Sequence, residues 1–148
     1  LRPLRCLDGA QSDAAGAAFY DAPRRPADAR HDRADMAVTV RDRLHEVLAW
    51  LVEEFPVSTR VRLRVERMPN EFADCEGMVW LERPPLIRIR KGLSRSTSVY
   101  TLLHEYAHVV VADRAGWRET GAHDHSDAFY RALGRIERAF ADRGPTHA

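Results

Sequence analysis

Ser96-Thr97-Ser98-Val99-Tyr100-Thr101-Leu102-Leu103-His104-Glu105-Tyr106-Ala107-His108-Val109-Val110-Val111 decides how this chain is read. Ser96 or Thr97 can cap a helix that carries Val99, Leu102, Leu103, Tyr106, Val109 and Val110 until Gly116 ends it. So many apolar residues around one helix predict burial. Inside it stands the pattern H-E-x-x-H, in which His104 and His108 lie one turn apart on one face and can reach a single metal ion. Glu105 is rotated about 100° from His104 by helical geometry. Its carboxylate therefore falls beside that ion, where it could polarise a water. Two histidines and a glutamate are costly in a core helix without a ligand, which favours a metal site over a chance pattern.

A catalytic zinc takes three protein ligands and keeps a fourth position for water. Downstream, the polar turn Gly121 to Asp124 leads into a last helix opened by Ser126 or Asp127, with Phe129, Leu133, Ile136 and Phe140 on one face. His125 can project from the start of that helix while Phe129 packs one turn on. It is the candidate third ligand, with His123 two residues away as the other. Asp124 or Asp127 could orient an imidazole. His31, His45 and His147 stand outside this cluster and read as surface residues.

Upstream, Val40, Leu44, Val47, Leu48, Leu51 and Phe55 fall at helical spacing before Pro56. Arg60 to Glu66 alternates Val61, Leu63 and Val65 with Arg60, Arg62 and Arg64, as a half-buried strand does. Pro69, Asn70 and Gly77 bracket a loop, and Met78 to Leu81 and Leu86 to Arg90 read as short strands around the Pro84-Pro85 break. The order helix, strands, helix, helix predicts an α+β class.

The 148 residues, 45% hydrophobic and 30% charged, suffice for one core and not for two ordinary domains. Residues 1–35 show no sustained period and are expected to be a disordered extension, with a single domain over 36–148. The chain begins with Leu1 and its first methionine is Met36, so the segment reads as a fragment end or an upstream translated extension. A net charge of +1 provides no global field toward nucleic acid or anionic membrane. No stretch matches a membrane span or an export signal, and two cysteines, Cys6 and Cys75, make neither a disulfide framework nor a thiolate zinc site. Soluble, cytoplasmic residence with reduced thiols is the expectation.

H-E-Y-A-H, followed after a Gly-containing turn by H-S-D-A-F-Y, resembles the SprT-like metallopeptidases, which include Spartan-type proteases and show H-E-x-x-H followed by H-G-x-x-F. His125 and Phe129 match the second element, and the likeness covers about residues 60–140. It implies a zincin-like fold of an N-terminal helix, a small three- to four-stranded sheet, a buried active-site helix with H-E-x-x-H, and a C-terminal helix. It implies zinc held by His104, His108 and His125, Glu105 as general base, and hydrolysis of peptide bonds in unstructured protein segments. Leu86 to Arg90 is similar in position to the family's edge strand, so a peptide substrate would be expected to add there as an antiparallel strand. Ser126 stands where the pattern has Gly, and because both cysteines lie upstream of the active-site helix no C-terminal zinc ribbon is expected.

Two rival classes remain. If the strands at 60–66 and 86–90 are neighbours, Arg60, Arg62, Arg64, Arg88 and Arg90 could form a basic face with weak nucleic-acid contact on a protein that keeps a structural zinc. The row lacks interleaved aromatics, Glu66 dilutes it, and arginine is used almost throughout with Lys91 the sole lysine. A regulatory protein on a metallopeptidase-like scaffold is the other, against which the intact Glu105 argues.

Overall fold

The computed structural model describes residues 38–117 and 125–145. The expectations for residues 1–35 and for His123 and Asp124 therefore lie outside the described residues. Helix α1 (Val40–Glu54) starts at Thr39, whose hydroxyl accepts the Asp42 N–H at 3.1 Å while the Asp42 carboxylate accepts the Thr39 N–H at 3.3 Å. This reciprocal cap satisfies two of the N–H groups that a helix start leaves open. The face predicted to be apolar is the buried one, with Leu44, Val47, Leu48 and Leu51 in the core.

Three strands follow: β1 (Arg62–Glu66), β2 (Gly77–Trp80) and β3 (Leu86–Arg90), in the spatial order β1-β3-β2. β1 and β3 are parallel, with Leu63 opposite Ile87 and Val65 opposite Ile89. β2 and β3 are antiparallel, with Gly77 opposite Ile89 and Val79 opposite Ile87. Because side chains alternate across a sheet, these residues share one face. That face is covered by α1 and by helix α2 (Arg95–Arg114), against which helix α3 (Asp127–Arg143) packs. The fold is α+β, with three helices and a small mixed sheet.

The expected edge strand is a correction. Leu86 to Arg90 is central and paired on both sides, so its backbone has no free edge for a peptide. Among the described residues the outer strands are β1 and β2, and β2 is the one that packs on α2.

The opposite sheet face carries Arg62, Arg64 and Glu66 in register with Leu86, Arg88 and Arg90. The two strands are neighbours, as the basic-face reading required. Much of its charge is taken up within the chain: Arg62 pairs with Glu82 at 2.7 Å, Arg88 Nε stands 2.7 Å from Glu66, and Arg90 donates to the Ala73 carbonyl at 3.1 Å. Beside this row, Met68, Cys75 and Met78 form a second, smaller cluster with Phe72 and Trp80 against it. Cys75 is disulfide-bonded, which departs from the expectation of reduced thiols.

Helix α2 is the centre of the main core, with Leu102, Tyr106, Ala107 and Val109 fully buried. Its cap is Ser94, whose hydroxyl accepts the Thr97 N–H at 3.1 Å, and not Ser96 or Thr97. Arg114 is its last residue, and Gly116 follows in the left-handed region at φ 67°, where a residue without a Cβ is cheapest. Ser126 caps α3, its hydroxyl accepting the Phe129 N–H at 3.3 Å, so the serine that replaces glycine in the resembled pattern has a structural task here. No helix among the described residues is long and apolar enough to cross a membrane.

Candidate metal centre

His104, His108 and His125 come together where the start of α3 meets the middle of α2, with one ligand atom from each inside a 4.8 Å cluster. His104 and His108 are 4% and 1% exposed, and His125 is half-buried at the mouth. The Nε2 atoms of His104 and His125 are 3.1 Å apart. Two nitrogens each about 2.0–2.1 Å from a tetrahedral zinc would stand roughly 3.3 Å apart. The spacing is therefore close to what a shared ion imposes, and three imidazoles with no thiolate among them are a donor set that suits zinc and, less selectively, other divalent transition metals.

Phe129 positions all three rings. It stacks on His108 at 4.3 Å and on His125 at 4.6 Å, and meets His104 at 4.9 Å with its ring tilted 62°. Its own burial is complete. The sequence placed Phe129 as an anchor for His125 alone, and its contact with both α2 ligands is a further result of α3 crossing α2.

Asp127 does not orient an imidazole: it is exposed in the first turn of α3, and its side chain makes no hydrogen bond or ion pair among the described residues. His45 is on the surface, as expected. Tyr106 donates its hydroxyl to the Phe55 carbonyl at 2.8 Å, tying α2 to the end of α1 and away from chemistry.

Burial sets the electrostatics. It holds the His104 imidazole down to about 3, with the neighbouring His108 and His125 pushing the same way. Both effects favour the neutral ring that a metal requires. Burial pushes the Glu105 carboxyl up to about 8, since a carboxylate loses its hydration there without gaining a partner cation. A divalent ion beside it would favour the ionised form.

Gly77, which the sequence marks only as a loop bracket, lies against the site. It opens β2, and a Cβ built on it would lie 2.3 Å from Thr101 Cγ2, 3.2 Å from the Arg88 carbonyl and 3.4 Å from Glu105 Cγ. Thr101 is itself fixed by donating its hydroxyl to the Thr97 carbonyl at 2.8 Å. The missing side chain is thus what lets β2 lie against Glu105. Gly77→Ala is expected to destabilise the fold by about 1–3 kcal/mol through overpacking. Thr101→Ser, which keeps the hydroxyl and removes the clashing methyl, should recover part of that loss. Urea melts of the two single variants and the double variant measure the coupling, and additive effects would show that Gly77 and Thr101 do not meet in this way.

Comparison with known proteins returned no matching protein-family model, no matching curated protein and no matching solved structure. The functional reading is accordingly carried by the geometry of the site and by the short SprT-like resemblance.

Proposed function

We propose that the chain is a zinc-dependent metallopeptidase of SprT-like, zincin-like type that hydrolyses peptide bonds in unstructured protein segments. The observation that carries this reading is the convergence of His104, His108 and His125 beside a fully buried Glu105 on the same helix turn. His104, His108 and His125 would hold the ion. When bound, zinc supplies Lewis-acid polarisation of the scissile carbonyl and of a water. Glu105 accepts the proton of the attacking water and returns it to the leaving amine nitrogen. The intact glutamate favours this reading over a regulatory scaffold, and the ion pairs that engage Arg62 and Arg88 weaken the case for nucleic acid on the sheet face.

Cytoplasmic residence belongs to the proposal on the strength of a sequence with two cysteines. The disulfide at Cys75 bears the other way, since such bonds persist mainly in oxidising compartments. Thiol alkylation at cell lysis, followed by mass spectrometry of the Cys75 peptide, decides between them.

An unfolded polypeptide incubated with the zinc-loaded protein should be cut at several positions, and the same sequence held inside a stable domain should survive. Chelation should stop cleavage and added zinc should restore it. Cleavage that persists in excess chelator would remove the metal from the mechanism.

A further inference from the structure

Next to His125, the end of α2 and the first turns of α3 line an open groove of about 790 Å³. Its floor continues the ligand stripe of α2: His104, His108, Val111 and Ala115 recur at helical spacing, and the last two line the groove. It begins at Ser126 and Tyr130, next to His125, whose ring lies 6.1 Å from that of Tyr130. Its charged lining is entirely basic: Arg114 from α2, and Arg131, Arg135 and Arg138 from α3. All four are exposed, and none of them pairs with a carboxylate among the described residues, whereas Arg62, Arg88 and Arg143 do. Gly134 stands between the α3 arginines, and a Cβ there would meet nothing within 4 Å, so the groove is open at its middle.

We infer that this groove selects substrates, so that the peptides cleaved carry acidic residues in the segment flanking the scissile bond. The inference deepens the proposed peptidase activity and rests on it. Arg131, Arg135 and Arg138 sit at i, i+4 and i+7 on one face of α3, spread over roughly 10 Å of helix. In an extended peptide, side chains on one side recur about every 6.8 Å. Two Asp or Glu residues at alternate positions therefore match the spacing of Arg131 and Arg135, about 6 Å along the helix, with the guanidinium groups offering paired donors to each carboxylate.

The same features disfavour a nucleic-acid strand. Asp127 and Asp142 share the arginine face and bracket the row, so a polyanion running beyond it meets like charge. Tyr130, 59% exposed, is the single aromatic in the groove lining, where stacking of successive bases calls for more.

The test uses the zinc-loaded protein and two unstructured fluorogenic peptides that differ only in having Asp and Glu, or Asn and Gln, in the flanking segment. The acidic peptide should show a kcat/KM higher by roughly tenfold, the scale of two partly exposed charge pairs. That ratio should fall as salt is raised. In Arg131→Gln/Arg135→Gln it should collapse toward one. Equal rates in the wild-type protein, or a preference that survives the double substitution, would overturn the inference. Fluorescence anisotropy with the labelled acidic peptide and zinc-loaded Glu105→Gln separates this from the activity itself. Arginine-dependent binding to this variant, together with a zinc-loaded wild-type protein that cuts neither peptide, would leave the groove standing and remove the peptidase reading. Tighter binding of a labelled oligothymidylate than of the acidic peptide would overturn the choice of ligand.

Discussion

Glu105→Gln is expected to keep the fold and the bound zinc and to lose peptide cleavage by roughly 10²- to 10⁴-fold, the range that a positioned general base supplies. The substitution is nearly isosteric, which matters because Glu105 is 1% exposed and packs close to Gly77 at the start of β2. A larger or smaller side chain would confound chemistry with repacking. The amide cannot accept the water proton, while nothing about the three imidazoles changes. Single-turnover cleavage with metal content measured on the same sample reads both halves of the expectation. Undiminished activity in a zinc-replete variant would take Glu105 out of the mechanism, and loss of zinc along with activity would mean that Glu105 holds the metal.

His125→Ala is expected to weaken zinc binding by orders of magnitude. His104 and His108 come from one helix and would remain one turn apart, but two imidazoles leave the ion open on the side that α3 closes. Phe129 would keep its place in the core and its stacking on His108, so the effect falls on the metal and not on the fold. His123→Ala should stay within the roughly tenfold to hundredfold range of residues that only orient a ligand. Titration of each variant against a competing chelator gives the comparison. If His123→Ala were the one to lose the metal, the assignment of the third ligand would move by two residues, and the match to the second element of the SprT-like pattern would weaken with it.

The parts of this fold that were legible in the sequence are those in which one residue's local surroundings fix the outcome. The apolar spacing of α1 and α2, the alternation of β1, and H-E-x-x-H on a core helix all express a period of 3.6 or 2. The position of His125 followed from Ser126 and Phe129 marking a helix start. Strand order was not legible. Leu86-Ile87-Arg88-Ile89-Arg90 alternates as an edge strand or a central one would, and only its pairing with a strand some twenty residues earlier makes it central. The cap of α2 is not legible either, because Ser94, Ser96 and Thr97 are all able to cap, and which hydroxyl takes an N–H depends on where the chain leaves β3. The role of Gly77 is hidden for a related reason. A glycine near Pro and Asn reads as a turn, and its use in letting β2 approach Thr101 and Glu105 exists only once the sheet lies on α2.

That three imidazoles share one ion is what the proposed chemistry requires first. X-ray absorption at the zinc edge, on protein reconstituted with zinc and dialysed, tests it without any substitution. The expected result is about one zinc per chain, with three imidazole nitrogens and one oxygen at about 2.0–2.1 Å and no sulfur. A folded protein that retains no zinc, or a spectrum showing sulfur or only two imidazoles, would contradict it.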